Sequence, residues 1–210
     1  MERTGLAMKV TKRGGYVLLA LAAMAVSYAM VMALTRLGLP DVIAAGALAL
    51  AGVGLIQVCH ILRPEQRMWG RFQIRHLLVF MLAIVAVQVV CLQVRMAFGD
   101  HDAGAQITRE MLKENALGVL VAAPLFEEVI FRGLLWRAVE FGKGRLATVL
   151  TVIVTAAAFA LFHSQSNLAQ LALLGSVGII LGVARVVSGG LALPIALHIA
   201  MNIYVAVVSL

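Results

Sequence analysis

The chain has 210 residues, 62% of them hydrophobic and only 13% charged, with a mean hydropathy of +1.00. A soluble domain lies near half apolar and a quarter charged, so the composition excludes a soluble enzyme or binding module and points to an integral membrane protein. The formal charge of +7 sits in basic residues beside apolar runs; membrane topology and anionic headgroups account for it, and nucleic acid is excluded as a partner.

Residues 1–15 carry Arg3, Lys9, Lys12 and Arg13 against Glu2. No small-residue cleavage site follows a short apolar core, so the first span is expected to stay in the membrane. That span covers 16–34, long enough to cross a hydrocarbon core of about 30 Å. A turn with Gly38 and Pro40 leads to a second run over 42–62. Arg63, Arg67, Arg71 and Arg75 then recur every fourth residue. They suit a lipid-touching amphipathic linker or an ordinary positive-inside loop; the loop is favoured, with Trp69 as an interface anchor.

A third span covers 77–98. The acids that follow it, with Asp100, Asp102, Glu110 and Glu114 around His101, read as a solvated loop rather than a cation site. The fourth span covers 115–136, the fifth 147–163, the sixth 168–187 and the seventh 191–210. Basic clusters at the N-terminus and after spans two, four and six share one side, which the positive-inside rule makes cytoplasmic. The N-terminus is then cytoplasmic and the C-terminus outside. Cys59 and Cys91 fall inside spans without ligand spacing and read as small buried side chains, with no disulfide. The fold class expected is all-α, a polytopic membrane bundle of about seven transmembrane helices. Residues 1–113 would form N-terminal spans without a motif, and 114–210 the functional core.

The fourth span holds the stretch on which the chemistry turns. Glu127 and Glu128 are adjacent in apolar sequence and Arg132 follows. On a helix, Glu128 and Arg132 share a face as i,i+4 neighbours, while Glu127 is turned about 100° away. A charge in hydrocarbon costs on the order of 3 kcal/mol even on the lenient insertion scale, so three in one span mark a functional site. His163 ends the fifth span, and His198 and Asn202 lie one turn apart in the seventh. Two carboxylates, two imidazoles and an amide from three helices meet only in a polar pocket. Such a pocket holds water, beside which a carboxylate or imidazole is a general base. Imidazole and amide donate to a developing oxyanion, and the same groups suit a divalent metal. Pro124 and Pro194 each precede these groups by about one turn; they either shape the cavity or are tolerated kinks.

The segment Glu127-Glu128-Val-Ile-Phe-Arg132 resembles the EExxxR motif of the CPBP family, the Abi-like CAAX proteases and bacteriocin-processing enzymes. Phe159-Ala-Leu-Phe-His163 resembles its FxxxH motif, and His198-Ile-Ala-Met-Asn202 its HxxxN motif. The three occur in family order over about 114–208. The resemblance implies an intramembrane endopeptidase of the cytoplasmic membrane of a bacterium, acting on a membrane-associated protein or peptide. By it, Glu127 activates the attacking water, His163 helps hold that water, and His198 and Asn202 stabilise the oxyanion or complete the water site. Glu128 and Arg132 support them as a buried pair. Zinc is the metal such a site would take, with Glu127, His163 and His198 as candidate ligands, but the HExxH signature is absent and a metal-free mechanism is preferred.

Two other classes compete. A non-enzymatic immunity or scaffolding protein would not need the intact set. A transporter with a Glu/His proton relay would more often show repeated halves with broken helices, and no repeat is found. One expectation fits poorly. Glu127 lies about 15 Å from the cytoplasmic end of its span, whereas His163 lies about 27 Å along an upright fifth helix. Either that helix is tilted or starts in the cytoplasm, or residues 164–167 break it inside the membrane.

Overall fold

The computed structural model describes residues 2–38, 40–62, 68–97, 107, 109–142, 144–163 and 168–209. Arg63, Arg67, Asp100, His101, Asp102 and residues 164–167 lie outside the described residues, as does the side chain of Cys59. Among those described, every regular element is helical. They are α1 (Glu2–Arg36), α2 (Asp41–Leu62), α3 (Ile74–Ala97), α4 (Arg109–Leu117), α5 (Ala123–Glu128), α6 (Trp136–Val139), α7 (Arg145–Phe162), α8 (Leu168–Ser188) and α9 (Ala192–Ser209). Wide π-type turns, Gly118–Ala122 and Val129–Leu135, flank α5 and fuse α4 to α6 into one interrupted span.

The seven expected spans thus correspond to α1, α2, α3, the run from α4 to α6, α7, α8 and α9. Four helical stretches, Gly14–Leu34, Ile74–Ala97, Arg145–Phe162 and Leu168–Ser188, are long and apolar enough to cross a membrane, and Ile43–Val58 and Ala192–Val208 are shorter apolar helices. Large apolar side chains along α3, such as Leu78, Leu82 and Val90, stay exposed on the bundle. In a chain of this composition that face meets lipid.

The interior forms two clusters. One gathers Val129, Ile130, Phe131 and Leu134 against Phe159 of α7, Leu191 at the start of α9, and Tyr16 and Ile56 from α1 and α2. The other joins Ile84 of α3 to Val177 and Leu181 of α8 and Leu197 of α9. Helices α7 and α8 approach closely because α8 presents glycines. A Cβ on Gly178 would stand 3.0 Å from Ala156, and one on Gly182 would stand 3.0 Å from Val152. Lipid tails are as apolar as the side chains, so such small-residue contacts supply the association that hydrophobic burial cannot.

The loop ahead of α3 is sewn to the turn between α8 and α9. The N–H of Arg71 donates to the Ser188 carbonyl at 2.7 Å, and the N–H of Leu191 donates to the Met68 carbonyl at 2.7 Å. Gly70 has φ +69, and Cβ atoms at Gly70 or Gly190 would run into the opposite backbone. Only glycine permits the two strands of chain to lie so close. Trp69 is more than half exposed beside this seam. Cys91 is a free, half-buried thiol.

Candidate active site

The start of the site is set by Asn115, whose backbone leaves the helical region at φ −149 and ψ 55. Its side-chain oxygen accepts from the N–H of Gly118 at 2.8 Å, an N-cap interaction that starts the motif helix afresh. Pro124 follows within α5. The wide turns on either side of α5 change the phase of the helix around Glu127 and Glu128; such turns recur at functional sites because they redirect side chains without ending the helix. Pro194 behaves differently. It is the third residue of α9, where a missing N–H costs nothing, so it starts that helix rather than bending it.

Glu128 and Arg132 are fully buried, and Nη1 of Arg132 donates to Oε1 of Glu128 at 2.9 Å. This is the i,i+4 pair expected from the spacing. Nη2 of Arg132 donates to the carbonyl of Gly178 at 2.9 Å, and the guanidinium lies over the Phe159 ring, 4.7 Å from its centroid. The glycine contact with α7 also presents that carbonyl, because no side chain shields the backbone. Nδ1 of His198 stands 2.9 Å from the same Glu128 oxygen. A carboxylate only accepts, so Nδ1 carries the proton there.

Glu127 points the other way, as the helix geometry predicts. Its Oε2 lies 3.7 Å from Nε2 of His163 and 3.8 Å from Nε2 of His198. The side chain of Glu127 is 19% exposed and that of His163 26%, against 4% for His198. The site is therefore more open on the Glu127–His163 side than at His198. Nδ1 of His163 lies 2.8 Å from the Phe159 carbonyl, which again assigns the proton to Nδ1. Both imidazoles thus have Nδ1 committed and Nε2 turned towards Glu127. The separations are too long for direct hydrogen bonds, and Oε2 faces both Nε2 atoms across a short polar gap. Phe159 separates the two rings, 4.6 Å from that of His163 and 5.7 Å from that of His198.

The fifth span joins the site at the end of α7. His163 is the first residue past Phe162, and it is there that the fifth span reaches Glu127. Asn202 is placed apart from the carboxylates: its Nδ2 donates to the carbonyl of Val119 at 2.9 Å. Glu127 also lines a cavity of about 190 Å³. Its other walls include Met24, Ser27 and Tyr28 of α1, Leu48 of α2, Phe126 of α5 and Phe162 of α7. No motif reading reached those α1 and α2 residues, since a single Ser-Tyr pair in an apolar span has no distinguishing period.

The donor set of Glu127, His163 and His198 has the right chemistry for zinc. Ligand bonds of about 2.0–2.1 Å in a tetrahedral site set ligand atoms roughly 3.4 Å apart. The two Glu127 separations of 3.7 and 3.8 Å are wider, and among the described residues no three acids, histidines or cysteines are spaced to hold a metal ion. No catalytic step is assigned to a metal.

Residues 113–204 match a family model described as type II CAAX prenyl endopeptidase Rce1-like. The matched stretch contains all three motifs, and the model's description names the same kind of CAAX protease that those motifs resemble. Over 84 residues the chain is 43% identical to an uncharacterized 24.3 kDa protein of Escherichia coli, an alignment covering 39% of this chain and 38% of that protein. The chain therefore matches well under half of that relative's length. No solved structure matches at comparable significance.

Proposed function

We propose that this protein is an intramembrane endopeptidase that hydrolyses a peptide bond of a membrane-associated protein or peptide. The observation that carries the reading is the convergence of Glu127 Oε2 and two imidazole Nε2 atoms at 3.7 and 3.8 Å, with both Nδ1 atoms tied away. A water held there has a carboxylate to take its proton and an imidazole to orient it. Glu127 removes that proton as the water oxygen bonds to the scissile carbonyl carbon. The oxyanion so formed accepts hydrogen bonds from His198 Nε2, when that ring is charged, and from the second amide N–H of Asn202. Collapse of the intermediate breaks the C–N bond, and Glu127 returns the proton to the leaving nitrogen.

The Glu128–Arg132–Gly178 contacts support the reading differently. They hold His198 through its Nδ1 while leaving its Nε2 for the reaction. The cavity beside Glu127 suggests the substrate class. Its walls are largely apolar and come from helices in the membrane, which favours an apolar side chain of a substrate already in the bilayer over a soluble peptide. The test is quantitative membrane proteomics of cells carrying wild type or Glu127→Gln. A precursor accumulating uncleaved in the variant is expected. Identical membrane proteomes would remove the protease reading in favour of an immunity or scaffolding role.

A metal-free site makes a separate expectation. Turnover by purified protein should survive prolonged chelation, and elemental analysis should find substoichiometric zinc. Inhibition by chelator that zinc reverses would transfer Glu127, His163 and His198 to a metal centre. The orientation is proposed from the basic loops, Arg71 and Arg137 among them. A topology reporter fused after Arg71 should read cytoplasmic and one after Leu210 external; the opposite pair of signals would invert the assignment.

A further inference from the structure

Three local features meet at one carbonyl of the motif helix. In the wide turn Gly118–Ala122, the N–H of Ala123 donates to Gly118 rather than to Val119. The next N–H along, which a continued wide turn would aim at Val119, belongs to residue 124. That residue is Pro124 and has no N–H. The Val119 carbonyl therefore lacks its helical donor at both the α and the π spacing. Its partner is Nδ2 of Asn202, 2.9 Å away on α9.

We infer that Asn202 is a positioning residue, the buckle that fastens α9 to the turn opened by Pro124 and so holds the rotation of Glu127 and Glu128. Helix α9 grips the motif helix twice. Asn202 binds it before Pro124, through Val119, and His198 binds it after, through Glu128. The two gripping residues lie one turn apart on α9, so a change of phase between Val119 and Glu128 breaks one grip or the other. A slip of one residue would swing each glutamate by about 100° and replace Glu127 by its neighbour at the histidines. A backbone carbonyl unpaired in an apolar interior is avoided in folded proteins, which gives the amide its leverage. This role is separate from any contact Asn202 makes with substrate, and it does not rest on the protease reading.

The inference singles out Pro124→Ala as a specific cure. An N–H at 124 gives Val119 a donor by either route: 124 donates to 119 if the turn stays wide, or 123 donates to 119 if it closes to an α-turn. The experiment measures amide hydrogen exchange over residues 120–128, with thermal unfolding, on full-length protein purified in detergent micelles. Asn202→Ala is expected to exchange at least about tenfold faster than wild type over that segment and to unfold at lower temperature. Asn202→Asp, which keeps size and loses the donor, should behave no better. The double variant Pro124→Ala with Asn202→Ala should regain most of the lost protection. Loss of general packing would not be repaired by an N–H at 124. Wild-type protection in Asn202→Ala, or a double variant no better protected than that single variant, would overturn the assignment. If Asn202→Ala does not accumulate, recovered accumulation of the double variant decides in its favour and continued loss decides against it. Neither readout uses turnover, so failure here leaves the proposed activity standing, and failure of that activity leaves this inference standing.

Discussion

Glu127→Ala is expected to abolish turnover while the protein still inserts and folds. Among the described residues the buried Oε2 of Glu127 has no hydrogen-bond partner, and the contacts among Glu128, Arg132 and His198 do not run through Glu127, so they stay whole when it is removed. The loss should be catalytic. A positioned general base contributes roughly 100- to 10,000-fold, and a water without orientation loses more. His163→Ala should fall as far, because its Nε2 faces the same oxygen. Groups that act on one water are not additive. The double variant should therefore be scarcely slower than either single one. Rates measured on purified protein, using the precursor identified in cells, check this. Multiplying losses would mean that the two residues serve separate steps, and a wild-type rate in Glu127→Ala would end the protease assignment.

Arg132→Ala is expected to be destabilising as well as inactive. Among the described residues, Arg132 is the only guanidinium paired with Glu128, and both side chains are wholly buried. Its removal leaves a buried carboxylate with His198 alone and takes from the Gly178 carbonyl its side-chain donor. Breaking one side of a buried pair costs about 3–5 kcal/mol. That is a large share of the stability of an ordinary domain, so steady-state abundance should fall several-fold. Arg132→Lys should recover little, since one ammonium cannot reproduce the fork that reaches both Glu128 and Gly178. Abundance on immunoblots of membrane fractions and unfolding temperature in detergent are the measurements. Normal values for Arg132→Ala would show the pair to be incidental to folding.

Much of this architecture was legible in the residues. Apolar run lengths are a strong signal because the bilayer leaves no alternative to burying the backbone in helices, and each expected span has its helix. The Glu128–Arg132 contact follows from an i,i+4 spacing that survives the adjacent wide turn. Glu127 facing away from that pair follows from the same geometry. What stayed illegible involves backbone atoms. The Gly178 carbonyl that holds Arg132 and the Val119 carbonyl that holds Asn202 are chemically the same as any other carbonyl. Nothing in a residue's name marks which of them will be exposed by a glycine contact or orphaned by a proline. The depth of His163 was also beyond helix counting. Counting residues gives a distance along α7 and not its tilt, while the contact with Glu127 is made just past the end of that helix.

The seam between the loop at Met68–Arg71 and the turn at Ser188–Ala192 bears on how the molecule is made. Ribosomes deliver the chain from the N-terminus, so α1, α2 and α3 enter the bilayer while their partners are still untranslated. The bonds from Arg71 to Ser188 and from Leu191 to Met68 cannot close until α8 has emerged and α9 has begun. Ile84 likewise waits for Leu181 and Leu197. Until then the early helices are held by lipid and by one another, and the α8–α9 hairpin draws them together when it arrives. Completion of the polar centre then waits for α9, and a nascent chain stalled before Ser188 carries its glutamates without the histidine that steadies them.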